Sequence, residues 1–323
     1  SLDKNNGGIL REKFGELPFT VFDAKTKSWQ DIKNKWLSLG IKSELGRDAI
    51  CLAQGLNKFD PRDSYTGKSV FDSALTELMY KWFCPPDGKI LDPFAGGSVR
   101  GIIASKLGYG YTGIELRKEQ VDANIEQGLE ICKDDKNKPK WIAGDSNQIL
   151  DTINEEFDFI FSCPPYADLE VYSNNENDLS NMPYQDFLLA YRSIINKAVS
   201  KLREGCLTVF VVGDVRDKDG YYYDFISDTK KAFIDSGARL YNEAVLLENG
   251  LNTAAMRASK QFSSDLKLVK VHQNVLCFKK TGDTPTTYAK TTVLNYIVRC
   301  DVCGGLIKRS GKQRLCQDCF KEF

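Results

Sequence analysis

Between Ile90 and Phe278 the chain alternates short apolar runs with stretches of helical periodicity. The runs are Ile90-Leu91, Tyr111 to Leu116, Trp141 to Ala143, Phe157 to Phe161, Leu207 to Val212, Leu240 to Leu247 and Val275 to Phe278. Between them, Val99 to Leu107, Lys118 to Cys132, Tyr184 to Leu202 and Asp224 to Ser236 repeat apolar residues at helical spacing. Strands that alternate with helices must be joined by crossovers, so the sheet they build is mostly parallel with helices on both faces. The expectation is a doubly wound, seven-stranded, Rossmann-like α/β sheet. No helical pattern is evident between the last two runs, so these are expected to form an antiparallel edge hairpin.

Residues 1–65 read as a mixed helix and loop extension, and residues 66–280 as the main domain. Ser69 to Phe83 carries Val70, Leu75, Leu78, Met79 and Trp82 at the spacing of one helix. Residues 281–290 form a threonine-rich polar linker, and residues 291–323 a separate small unit. With 44 basic and 44 acidic residues the chain has no global field to attract a polyanion, so any such partner must meet a local patch. The longest apolar runs are far too short to span a bilayer, and the N-terminus lacks a signal-peptide core. A cytoplasmic protein with no membrane partner is the expectation.

The first core strand runs into Asp92-Pro93-Phe94-Ala95-Gly96-Gly97-Ser98, and a helix follows at once. Glycines at such a junction let the backbone turn tightly and let a ligand approach the amides at the helix N-terminus. The next strand ends at Glu115, eighteen residues past Gly97. An acid at that tip can accept hydrogen bonds from both hydroxyls of a ribose. The third strand ends at Asp145, which could reach an adenine amine, cap the helix starting near Asn147, or do both.

The fourth strand stops at Phe161-Ser162-Cys163-Pro164-Pro165-Tyr166. Proline lacks an amide hydrogen and fixes its own φ, so this corner is rigid and its carbonyls point in set directions. Rigid acceptors beside a tyrosine ring suit a flat nucleobase. Together, Asp92-Pro-Phe-Ala-Gly-Gly and Cys163-Pro-Pro-Tyr166 resemble the motifs of the S-adenosylmethionine-dependent amino-methyltransferases of DNA, which act on adenine N6 or cytosine N4. More narrowly, the chain is similar over roughly residues 10–280 to phage and prophage methylases linked to ParB-like domains. The motif order is gamma-like.

That resemblance implies a methyltransferase sheet, S-adenosylmethionine as cofactor and a flipped or single-stranded DNA base as partner. It further implies fusion to, or association with, a ParB-like domain. Asp92, Phe94 and Gly96, within the turn from Asp92 to Ser98, would cradle the methionine portion; Glu115 would hold the ribose, Asp145 the adenine, and Phe71 the cofactor from the preceding helix. Ser162, Cys163, Pro164, Pro165 and Tyr166 would form the catalytic corner. Two positions depart from the family pattern. Ser98 replaces the last glycine of the turn, and Cys163 stands where an Asp, Asn or Ser normally accepts a hydrogen bond from the target amine. Thiol sulfur is a weak acceptor; the Pro164 carbonyl, Ser162 or Asp168 could compensate. Cys163 also leaves open pyrimidine carbon-5 methylation with the thiolate as nucleophile. Methylation of RNA or protein glutamine, or an inactive zinc-dependent DNA-binding protein, stay open as well.

Four of the ten cysteines, Cys300, Cys303, Cys316 and Cys319, form two C-x2-C pairs twelve residues apart, spacing that suits a closed tetrahedral zinc site. The tail resembles a small zinc ribbon and would draw its folding energy from the metal. Lys308-Arg309-Ser310-Gly311-Lys312 lies between the pairs and could touch phosphates. His272 is the only histidine and reads as structural. Tyr221 to Tyr223 read as a helix entry packed on the core. Arg257 and Lys260 read equally as surface or as contacts to a DNA backbone.

Overall fold

The computed structural model describes residues 4–42, 71–165, 179–247, 251–281, 297–299 and 306–308. Residues Ser1–Thr281 form one compact unit and Gly282–Phe323 another. The larger unit begins with α1 (Lys4–Phe14), β1 (Val21–Asp23) and α2 (Lys27–Leu37). It continues with α3 (Ser73–Phe83), β2 (Lys89–Asp92), α4 (Val99–Lys106), β3 (Gly110–Glu115), α5 (Lys118–Ile131) and β4 (Lys140–Ala143). Then come α6 (Ser146–Thr152), β5 (Phe157–Ser162), α7 (Tyr184–Lys201), β6 (Leu202–Val212) and α8 (Phe225–Asp235). It closes with β7 (Ala238–Leu247), α9 (Leu251–Asp265) and β8 (His272–Lys280).

One eight-stranded sheet organises these elements in the order β1-β7-β8-β6-β5-β2-β3-β4. Strands β4, β3, β2, β5 and β6 run parallel, β8 runs antiparallel between β6 and β7, and β1 runs parallel to β7. The doubly wound, mostly parallel fold expected from the alternation is therefore present. Both faces are covered, so β5 buries Phe157, Phe159, Ile160 and Phe161 almost completely. A strand buried on both sides reads as a continuous apolar run, which is why it was visible in the sequence.

Two expectations need correction. The sheet has eight strands rather than seven, because three residues of the N-terminal segment join its edge beside β7. Phe22 anchors β1, its ring near those of Trp29 and Trp82 at 5.8 Å each. Trp29 donates to the Asp72 carboxylate at 3.2 Å and Trp82 to the Phe14 carbonyl at 2.8 Å, tying the segment to α3. The last two strands do pair antiparallel, but α9 lies between them, and β8 is interior to the sheet instead of forming an edge hairpin. Among the described residues no helix is long and apolar enough to cross a membrane.

In the smaller unit β9 (Ile297–Arg299) and β10 (Leu306–Lys308) pair antiparallel, Arg299 opposite Leu306. The first C-x2-C pair falls in the sequence between them; all four tail cysteines lie outside the described residues.

The core also sets an alkaline limit. Burial first, and Asp158 second, push the Cys206 thiol up to about 11; burial pushes Cys277 up to about 12, both from 9.0. Each folded thiol holds its proton more tightly than the unfolded one. Its contribution is therefore complete below pH 9 and is lost as pH rises toward 11 to 12. Melting temperature should hold to about pH 8.5, the ordinary thiol value, and then fall. In a Cys206→Ala/Cys277→Ala variant the alkaline decline should be shallower; an identical slope would remove these thiols as its cause.

Candidate active site

In a doubly wound sheet the place for a ligand is the carboxyl rim where strand order reverses. Here that point lies between β2 and β5, adjacent parallel strands with Ile90 beside Phe159 and Leu91 beside Ile160. Their following loops are the glycine turn and the Cys-Pro-Pro corner. Asp92 joins the two. Its Oδ1 accepts from Ser162 Oγ at 2.6 Å and from the Phe94 N–H at 3.2 Å. Its Oδ2 accepts from Arg100 Nε at 2.6 Å and Tyr111 OH at 2.8 Å. A carboxylate offers about four acceptor sites, and all are taken inside the protein. Asp92 is fully buried. It shapes the turn and does not face out of it.

Arg100 was not singled out from the sequence. It stands in the first turn of α4, where a cation opposes the helix dipole, and the Asp92 charge offsets that. Its Nη2 also donates to the carbonyls of Phe94 at 2.6 Å and Ala95 at 3.0 Å, clamping the turn from below. Burial works against its charge, but Asp92, Tyr111 and Cys163 more than offset this and hold the guanidinium above its usual range. Phe71 lies over the guanidinium at 4.4 Å, its ring edge-on to Phe161 at 5.6 Å. Sequence signals existed for this cluster: an arginine on the buried face of a helix, eight residues past a strand-end acid.

Of the turn residues, Asp92, Pro93, Ala95 and Ser98 are buried, whereas Phe94, Gly96 and Gly97 stay partly open. Gly96 has φ +52°, and a Cβ there would meet nothing within 4 Å. Ser98 Oγ is buried and has no hydrogen-bond partner among the described residues. Glu115 leans over the turn, accepting from the Gly96 N–H at 3.1 Å and the Arg117 N–H at 3.0 Å, with Arg117 Nε 3.4 Å away. Asn124 Nδ2 closes the other side by donating to the Gly96 carbonyl at 2.8 Å. Asp145 caps α6 by accepting from the Asn147 N–H at 2.8 Å, and Ser146 Oγ donates to the Pro93 carbonyl at 2.5 Å. Turn, acid and third-strand acid thus share one rim.

At the corner, Ser162 and Pro164 are buried while Cys163 and Pro165 are half-buried. The Phe94 N–H also reaches Ser162 Oγ at 3.2 Å. Tyr166 and Asp168 lie outside the described residues. Phe94 packs near Tyr191 at 6.0 Å and Phe210 at 6.3 Å, forming an aromatic wall between the turn and β6. His272 starts β8; burial first, then Lys270, holds its imidazole below the usual range, so it is neutral near pH 7.

No family model matches this sequence, and no curated protein matches it. Solved structures give matches of fold outline. TrmN from Thermus thermophilus aligns with TM-score 0.45 and 14% identity, over 65% of this chain and 49% of that chain. The match thus spans about half the length of TrmN. NSun6 from Pyrococcus horikoshii with SFG aligns with TM-score 0.45 and 15% identity, over 67% and 53%. Magnesium protoporphyrin IX methyltransferase (ChlM) from Synechocystis PCC 6803, with bound SAM, gives 0.38 and 11%, over 61% and 71%.

Proposed function

We propose that this chain transfers a methyl group from S-adenosylmethionine to an exocyclic amino group of a DNA base, adenine N6 or cytosine N4. The carrying observation is the Asp92–Ser162–Phe94 linkage, which holds the glycine turn within one hydrogen bond of the Cys-Pro-Pro corner. A cofactor turn and a base pocket are useful together only at such a distance.

The residues present fit the cofactor. Gly96 leaves open space above the turn, and Ser98 has an unmatched buried hydroxyl, both suited to a polar amino-acid moiety. Glu115, fixed by two backbone N–H groups, would accept from ribose hydroxyls, and Asp145, the cap of α6, from the adenine amine. When bound, the cofactor supplies an electrophilic sulfonium methyl. The chain's own contribution is alignment and exclusion of water, which can carry most of the rate when a displacement needs little proton transfer. The Pro164 carbonyl would accept one amine hydrogen and Cys163, weakly, the second. The proton leaves to solvent. A base stacked in a duplex cannot enter such a corner, so it must be extruded or already single-stranded.

A second reading is favoured by one observation. Cys163 is among the groups that steady the Arg100 guanidinium, so a cation stands near the thiol that such chemistry would use. Pyrimidine carbon-5 transfer with Cys163 as nucleophile therefore stands as the rival. In the tail, we propose that Cys300, Cys303, Cys316 and Cys319 hold one zinc ion as thiolates.

The deciding experiment incubates the full chain with methyl-labelled cofactor and mixed-sequence DNA, then identifies the modified nucleoside by mass spectrometry. N6-methyladenine or N4-methylcytosine is expected, in a preparation carrying one zinc by elemental analysis. Label found only in RNA or protein would overturn the DNA assignment.

A further inference from the structure

The β7–β8 connection emerges at the same rim as the candidate active site. Strand β8 pairs antiparallel with β6, Val212 opposite Asn274, and with β7, Leu247 opposite His272. The segment between Leu247 and His272, including α9, therefore leaves from the carboxyl ends of the parallel strands. It lies two to three strands from β5, roughly 10–15 Å at ordinary strand spacing. That is about three to four nucleotides along one DNA strand at about 3.4 Å each.

Its composition differs from that of the chain. Residues 251–271 contain four Lys/Arg and one acid, whereas the whole chain balances 44 against 44. None of the described side chains of α9 is buried. Phe262 is 51% exposed and Leu266 75%. Leu266 also holds φ +53°, a left-handed conformation that a branched apolar residue normally adopts only when packing enforces it. Among the described residues Leu266 stays largely exposed, an apolar side chain on a left-handed turn directly beside Lys267.

A second rim element meets this one. The β6–α8 loop folds into a small finger, Arg216 bridged to Tyr222, and Gly220 lies against the Lys267 amine. Tyr223 packs inward, stacked on Tyr184 at 4.0 Å, as the helix-entry reading anticipated. Its neighbours do not: Tyr221 is 73% exposed and Tyr222 46%, with the Arg216 guanidinium 3.8 Å over the Tyr222 ring. The Asp214 and Asp217 carboxylates of the finger accept from the Ile226 and Tyr221 N–H groups.

We infer that this paired surface is the DNA-binding element of the chain: Lys260 and Lys267 contact phosphates, while Tyr221, Tyr222 and Phe262 receive unstacked bases beside the target. The inference rests on the methyltransferase reading for its substrate, but on the basic excess of residues 251–271, the exposed rings of the finger and rim position for its location. Cations with interleaved exposed rings are the combination that a single strand requires, phosphates meeting the charge and bases the rings.

The test measures anisotropy of a short fluorescent single-stranded DNA across a salt series, with calorimetric uptake of S-adenosylmethionine alongside. Lys260→Ala/Lys267→Ala should weaken DNA binding about 10-fold at low salt. It should also make the log K against log salt slope less negative by about 1.4, at about 0.7 per phosphate contact. Lys260→Arg/Lys267→Arg should bind like the native chain, and Tyr221→Ala/Tyr222→Ala should lose about 10-fold or more with the slope unchanged. Cofactor uptake should be the same in all. Native affinity and slope in both alanine variants would overturn the inference, as would preference for RNA of the same sequence. DNA binding that responds as expected in a chain taking up no cofactor would sink the catalytic reading and leave this surface standing.

Discussion

Asp92→Ala is expected to lower the unfolding free energy by about 3–5 kcal/mol, because it leaves Arg100 charged, buried and unpaired. At roughly 2–4 °C per kcal/mol for a chain of this size, the melting point should drop by about 10 °C. The side chains are 5% and 0% exposed, so water cannot replace the lost carboxylate. Tyr111 OH and Ser162 Oγ would lose their acceptor at the same time. Arg100→Met should have a similar effect, through the uncompensated carboxylate. Asp92→Leu/Arg100→Met should be much less destabilised than the sum of the singles, since removing a whole buried pair removes both desolvation costs. Denaturant titration of the four proteins checks this. Single variants within about 1 kcal/mol of native would mean that the pair is screened or replaceable, against its geometry.

Cys163→Ser is expected to separate the two chemistries by the largest margin in activity. If the corner methylates an exocyclic amine, the side chain at 163 only accepts a hydrogen bond, and hydroxyl oxygen accepts better than sulfur. A net hydrogen bond of about 1 kcal/mol corresponds to about a 5-fold gain, so the variant should match or exceed the native rate. If carbon 5 of a pyrimidine is the target, the thiolate must first bond to carbon 6, and a serine hydroxyl, far less nucleophilic, should leave only background. Single-turnover assays with nucleoside analysis read both outcomes. Loss of all transfer with intact cofactor uptake would eliminate the amine assignment.

Much of the fold could be read in advance because the strongest signals are local. Phe157 to Phe161 shows as a buried strand by its apolar residues alone, and Asp92 to Ser98 as a turn by its glycines. What could not be read depends on partners far along the chain. Val21 to Asp23 is too short to show any period, and only pairing with β7 makes it a strand. Helix α9 buries none of its described side chains, so no contact with a core marks it out. Glu115 and Asp145 stand at strand ends that the apolar runs already mark, whereas the partners of Asp92 could not be foreseen. Its side chain serves Arg100, eight residues later, and Ser162, seventy residues later. No spacing rule announces contacts of that kind, although a buried-face arginine is a hint that some carboxylate must answer it.

The short strand β1 carries one more consequence. Without it, the Val245–Leu247 end of β7 would present unpaired amides and carbonyls, open to pairing with another molecule. A three-residue strand covers that end and is itself too brief to template further addition. A fragment trimmed to residues 66–281 would lose this guard, and light scattering should show it self-associating more than the full chain.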